Sequence, residues 1–243
     1  MGFFETVKEI FLQYYPLFWD GVQVTMLLAL SGTILGLFIG LVVGALKAIK
    51  PEPRDSGLVK ALKRIMGFIL SVYIEFFRGT PMMVQAVFLF YGLKPYLDWS
   101  PMVAGVCIIS VNTGAYMAEI IRSGIQSVDR GQIEGARSIG MTNVQTMFSI
   151  VLPQALRNAF PAVINEFVIN IKDSSMLSVI MVADLFFQGN SAAGSLFKYT
   201  ETFFIIALIY LCLTFITSRV LMYIEKRMNA PKKNNIVKAG EAA

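Results

Sequence analysis

The 243-residue sequence contains no histidine and only two cysteines. The first absence removes the commonest general base and the commonest metal ligand, which excludes His-dependent triads and most metalloenzyme sites. Cys107 and Cys212 each lie in an apolar run with no polar neighbour to suggest metal or redox chemistry, and read as small buried hydrophobes. Charge is scarce as well. Charged residues make up 15% of the chain, against roughly a quarter in a soluble domain. No G-x-x-x-x-G-K-[ST] phosphate loop occurs, so the chain has no ATPase site of that type. A basic start followed by a short apolar stretch, the mark of a cleavable leader, is missing too.

What is abundant is apolar sequence: 56% hydrophobic residues and a mean hydropathy of +0.63. From Gly21 to Leu46 there is no ionisable side chain, and about 20 apolar residues cross a bilayer. The pattern predicts an all-α, polytopic membrane protein with about five transmembrane helices, near 22–46, 65–92, 101–121, 151–171 and 203–224. They form one domain over 21–228, with a polar loop at 122–150 and a basic tail at 229–243. Residues 3–18 set Glu5, Lys8 and Glu9 among Phe3, Val7, Phe11, Tyr14 and Phe18. That spacing fits either an amphipathic interfacial segment over 1–20 or the ordinary start of the first span. Pro81 predicts a kink in the second span, and the polar run 172–175 predicts a re-entrant or surface segment near 173–190.

The net charge of +5 does not signal nucleic acid, because the basic residues are confined to particular loops. Lys47, Lys50, Arg54, Lys60, Lys63 and Arg64 fill the first loop. Arg122, Arg130, Arg137 and Arg157 fill the third, and Arg219, Lys226, Arg227, Lys232, Lys233 and Lys238 the C-terminal end. Only Lys8, Arg78, Lys94, Lys172 and Lys198 fall elsewhere. By the positive-inside rule those loops share the cytoplasmic side, which places the N-terminus outside and the C-terminus inside. Gly32, Gly36, Gly40 and Gly44 recur every four residues along the first span, a face on which another helix packs closely.

The stretch from Asp129 to Ala155 is too polar for lipid yet keeps helical periodicity. Asp129 is placed to cap a short helix, Thr142 with Gln145 forms a capping box for a second, and Gly140 sits where the chain must turn between them. The order Glu134-Gly135-Ala136, then Gly140, then Ile150, Leu152 and Pro153 resembles the coupling loop of bacterial ABC importer permeases. It departs from the E-A-A pattern only at Gly135. Four further stretches resemble the polar amino-acid importer branch: Glu75 to Pro81, Val84-Gln85, Asn112 to Tyr116, and Lys172 to Ile180.

The resemblance implies a type I importer permease fold and a polar amino-acid cargo. It also implies that Glu134, Ala136, Arg137, Gly140, Leu152 and Pro153 couple the chain to an ATPase, with Arg137 offering an ionic contact. The implied partners are two cytoplasmic ATPases that bind ATP and magnesium, a second permease, identical or sibling, and an extracellular or periplasmic amino-acid-binding protein. No cofactor is expected on this chain.

Charges at bilayer depth cost about 2.5–3.5 kcal/mol each on insertion scales, so those at depth ask for a role. Glu75 and Arg78, three apart, neutralise each other or partners on a neighbouring helix at the Pro81 kink, or touch substrate, with Gln85 as a further structural or path candidate. Glu119 and Arg122 read as a snorkelling pair. Glu166 is the candidate acidic partner for a substrate ammonium, with Asn112, Thr113, Tyr116, Asn170, Lys172, Asp173 and Ser174 as candidate lining of the path. The competing reading is an ion-coupled secondary transporter or channel subunit using these charges as ion sites. It leaves the spacing of the polar loop unexplained.

Overall fold

The computed structural model describes residues 2–49, 51–53 and 55–229. Lys50, Arg54 and the predicted tail with Lys232, Lys233 and Lys238 lie outside the described residues. Among the described residues there are helices and no strands. Helix α1 (Phe3–Ala48) is followed by α2 (Gly57–Gly79), α3 (Met82–Leu97) and α4 (Pro101–Gln126). Then come two short helices, α5 (Arg130–Ser138) and α6 (Asn143–Thr146), a π turn at Met147–Val151, and α7 (Leu152–Asp173). A 3-10 turn at Ser174–Ile180 leads into α8 (Leu185–Leu196) and α9 (Tyr199–Asn229).

Four stretches are long and apolar enough to cross a membrane: Phe3–Lys47, Pro101–Gln126, Asn143–Ile180 and Tyr199–Arg227. The predicted span at 65–92 is not one kinked helix. It is divided at Thr80-Pro81, where both residues are extended, into α2 and the 16-residue α3. Pro81 has no N–H to continue the helical ladder, and the residue before a proline is driven out of the α region. The predicted segment 1–20 is likewise not a separate element. It continues into the first span through Pro16 as one 46-residue helix, about 69 Å long at 1.5 Å per residue.

Helix α4 is the centre of the molecule, with α1, α2 and α7 packed around it. The glycine stripe of α1 is the reason α1 comes so near. A Cβ on Gly32 would stand 3.0 Å from Ile109, one on Gly36 2.7 Å from Thr113, and one on Gly40 would collide with Met117. Ile109, Thr113 and Met117 themselves recur every four residues, so one row of small residues receives one row of large ones. On the same helix a Cβ at Gly114 would meet Ile39 at 2.6 Å and the Tyr73 hydroxyl at 2.8 Å, which brings α2 in close. Tyr73 also donates to the Val111 carbonyl at 2.7 Å.

The segment after α7 is inside the fold, not on its surface. Leu177, Ile180 and Leu185 are fully buried, and the chain reverses at Met181 with φ +67°. The cysteines differ from expectation in the opposite sense: Cys107 and Cys212 are both exposed. An apolar run in a membrane protein faces lipid as readily as core, so hydropathy alone does not decide burial. In the first loop, Asp55 accepts from the Glu52 N–H at 2.7 Å and pairs with Lys63 at 2.7 Å, which together hold its carboxyl below the usual range.

Candidate functional site

The polar loop folds into a helical hairpin. Asp129 caps α5 by accepting from the Gly131 N–H, and Thr142 and Gln145 exchange reciprocal capping bonds at the start of α6. Between them Gly140 has φ +85°. Its N–H donates to the Arg137 carbonyl at 3.0 Å, and that of Met141 to the Ala136 carbonyl at 3.1 Å. This is the two-bond C-terminal cap that requires a left-handed residue after the helix. Ala136 is buried under the hairpin, whereas Glu134 and Arg137 are exposed. Arg137 is not free for an ionic contact alone, since its guanidinium donates to Asn143 at 3.1 Å and ties the two helices together.

Two features fix the hairpin to the membrane helices. Val128, Val151 and Ala155 form a small core with Ile125, Ile133 and Met147, bridging α4, α5 and α7. A Cβ at Gly124 would come within 2.6 Å of the Ala155 carbonyl, and Asn158 donates to Ser127 at 2.9 Å. Half-buried Leu152 and exposed Pro153 open α7 directly after the π turn. A proline clashes with the carbonyl four residues before it, and a π turn there gives that carbonyl room.

A second cluster closes the break between α2 and α3. Gln85 donates to the Phe77 carbonyl at 3.0 Å, to the Thr80 carbonyl at 2.9 Å and to the Thr80 hydroxyl at 2.7 Å. Asn112 of α4 donates to Gln85 at 2.8 Å and to the Phe77 carbonyl at 3.1 Å. Pro81 leaves the Phe77 carbonyl without its ordinary helical donor, and these two amides supply replacements. Thr113 donates to Asn170 at 3.0 Å, and Asn170 donates to Thr33 at 2.9 Å, joining α4, α7 and α1 in one buried chain. Asn112, Thr113 and Asn170 are thus brought together with Gln85 and Pro81 at the level of the break, with their side-chain donors engaged.

The paired charges rearrange. Glu75 is exposed and makes no ion pair among the described residues, while Arg78 reaches across to Glu119 at 3.8 Å and lies over the Tyr116 ring at 5.4 Å. Helix α2 turns Arg78 toward α4, so of the two expected pairings the one with a neighbouring helix forms and the one with Glu75 does not. Glu119 binds Arg122 with contacts of 2.6 and 3.0 Å and has Lys47 at 3.8 Å, which makes it the single acid among three cations. Glu166 stands apart. It is 7% exposed and makes no hydrogen bond or ion pair among the described residues. Asn170 and Asp173 follow it at four and seven residues, on one face of α7. Lys172 is exposed, and Ser174 is buried with its hydroxyl on the Ile171 carbonyl.

Sequence reasoning missed Asp184, a fully buried carboxylate that caps α8 through the Phe187 N–H at 3.0 Å and accepts from Tyr210 of α9 at 3.2 Å. Its signal was present, since an aspartate immediately before an apolar run is an N-cap pattern. Thr25 and Thr33 were missed as well. Both are hydroxyls in the apolar part of α1, and each bonds another segment: Thr25 accepts the Leu185 N–H, and Thr33 accepts from Asn170.

Known proteins share this architecture. The family described as "Binding-protein-dependent transport system inner membrane component" matches residues 56–230. The probable amino-acid permease protein YxeN of Bacillus subtilis (strain 168) is 32% identical over 227 residues, spanning 92% of this chain and 96% of the relative. The glutamine transport system permease protein GlnP of Escherichia coli (strain K12) is 33% identical over 216 residues, 88% and 93% of the two chains. A chain of a crystal structure of an amino acid ABC transporter with histidines superposes with a TM-score of 0.79 at 36% identity, covering 93% of this chain and 99% of that one. A chain of the inward-facing MetNI methionine ABC transporter gives 0.74 at 18% identity, a likeness of fold. The chain therefore belongs to the binding-protein-dependent inner-membrane family: it is a multi-pass permease subunit of a bacterial ABC importer, a transport component of the cytoplasmic membrane that works with separate ATPase and solute-binding partners and is not itself an enzyme.

Proposed function

We propose that the chain lines the translocation path of an importer for a polar amino acid, with its N-terminus outside and its C-terminus in the cytoplasm. Two ATPases, which bind ATP and magnesium, dock beneath it, a second permease completes the path, and a binding protein delivers the amino acid from outside. The chain itself carries no cofactor. The observation that supports this best is the α5–α6 hairpin, which leaves Ile139 and Val144 exposed, with Phe148 of the π turn exposed beside them, while fastened to both α4 and α7. Large exposed apolar side chains on an otherwise polar hairpin are the mark of a protein partner. A groove that grips them can move two membrane helices at once.

Glu166 is the proposed contact for the substrate ammonium, a buried acid on the α7 face that also carries Asn170 and Asp173. The names of the relatives, which include glutamine and L-cystine permeases, support an amino-acid cargo. The test is uptake of a radiolabelled amino-acid panel by vesicles containing the co-purified complex. Uptake of at least one polar amino acid that depends on internal ATP is expected. Uptake driven by an ion gradient without ATP would establish the secondary-transporter reading instead.

A further inference from the structure

Beside the hairpin, between the ends of α1 and α4, lies a cavity of about 440 Å3. Its polar lining is Lys47, Arg122 and Gln126, and its apolar lining includes Gly44, Ile125 and Met147. Neither Lys47 nor Gln126 makes a side-chain hydrogen bond among the described residues, and Arg122 uses only its Nε and one terminal nitrogen, on Glu119. Lys47, Arg78 and Arg122 surround the single carboxylate of Glu119, which leaves a local excess of two positive charges. The C-termini of α1 and α4 together contribute about one negative charge by their dipoles. The lining itself carries two cations, Lys47 and Arg122, and no acid, with open donors and an apolar wall at the end of two membrane-crossing helices.

We propose that this cavity binds a phosphodiester or phosphate anion, with the headgroup of an anionic phospholipid as the occupant its lining favours. Lys47, Arg122 and Gln126 supply donors to the phosphate oxygens. Gly44 and Ile125 leave a passage along which the upper part of an acyl chain lies against the helices. Basic pockets between spans at the membrane boundary suit such headgroups, and a positive excess selects an anionic lipid over a zwitterionic one. Because Met147 belongs to the π turn that joins the hairpin to α7, the occupant touches the element proposed to carry motion from the ATPase. The leaflet concerned rests on the orientation given under Proposed function, but the binding itself does not.

The test titrates the purified full-length chain with fluorescent short-chain phosphatidylglycerol, with short-chain phosphatidylcholine and inorganic phosphate as competitors. Phosphatidylglycerol is expected to bind, and phosphatidylcholine to compete poorly. Lys47→Gln, which removes no hydrogen bond from the fold, is expected to weaken binding about fivefold, the effect of one basic residue at an anionic surface. Glu119→Gln removes the competing acid and is expected to tighten binding, which a structural role for this cluster does not predict. Displacement by inorganic phosphate assigns the site to a dissolved anion. Displacement only by anionic lipid assigns it to the membrane. Equal affinity for the two lipids, or affinities for phosphatidylglycerol unmoved by both substitutions, overturns the proposal. Labelling of Gln126→Cys from each side of the membrane, in a chain whose exposed Cys107 and Cys212 are replaced by alanine, reports the leaflet separately, so an error in orientation is distinguishable from an absent site.

Discussion

At Gly140 the constraint on residue type is one of backbone and not of space. A Cβ there would meet nothing within 4 Å, yet φ is +85°, a region that costs other L-residues roughly 1–2 kcal/mol. Gly140→Val should therefore loosen the cap between α5 and α6 and tilt the exposed docking side chains without disturbing the spans. The expected result is normal membrane insertion with ATP-driven uptake reduced at least several-fold, and Gly140→Asn should fall between, because asparagine tolerates the left-handed region. Wild-type uptake by the valine variant would remove the hairpin from the coupling role. Gly135 is the contrast: its Cβ would also meet open space, but its conformation is helical. Gly135→Ala should raise the unfolding midpoint, by an amount corresponding to as much as about 1 kcal/mol. For Glu166 the expectation concerns substrate. A charge-assisted hydrogen bond is worth about 1.5–3 kcal/mol, so Glu166→Ala should raise KM for uptake by about tenfold or more while the chain remains folded. Unchanged uptake kinetics in a folded variant would exclude Glu166 from the path.

Among the elements, the break between α2 and α3 shows what a side chain must do when a proline interrupts a helix inside a packed bundle. Gln85 and Asn112 replace the lost backbone donor, so Gln85→Leu, similar in volume, should leave the Thr80 carbonyl without its side-chain donor and cost about 1–3 kcal/mol, read as a lowered melting temperature in detergent. A melting temperature equal to wild type would mean that water or lipid supplies the donors. Pro81 itself was legible in the sequence, and so was a disruption there. The closure was not, because Gln85 and Asn112 meet Phe77 only after α3 and α4 have packed. The same limit applies to Arg78, for which a local pair with Glu75 and a partner on a neighbouring helix both stood open until α2 docked on α4 and offered Glu119. The two caps of the hairpin and the glycine row of α1 were readable, since both depend on fixed short spacings. Cys107 and Cys212 were misjudged for a physical reason: in lipid the outside of a bundle is as apolar as its inside, and periodicity has to be combined with packing to separate them.

At the scale of the whole molecule the polar hairpin lies at one end of both α4 and α7 and is fastened to each of them. Helices α4 and α7 converge where Gly124 lies against Ala155, and the hairpin is fastened to both just beyond that point. A force on Ile139 or Val144 would therefore be delivered to two helices that also hold the buried Thr113–Asn170–Thr33 chain. This arrangement drives transport only if the hairpin faces the compartment that contains ATP. Single cysteines at Ile139, which is 79% exposed, and at Phe4 near the start of α1, 75% exposed, report the two sides. The native Cys107 and Cys212 are replaced by alanine first, because both are exposed. A membrane-impermeant maleimide should label the Ile139→Cys chain only after the cytoplasmic face is opened, and the Phe4→Cys chain in intact cells. Assembly with the ATPase should then protect the cysteine at 139 and leave the one at 4 reactive. The reverse pattern would separate the hairpin from any cytoplasmic motor, and labelling at 139 that persists in the assembled complex would move the docking surface elsewhere on the chain.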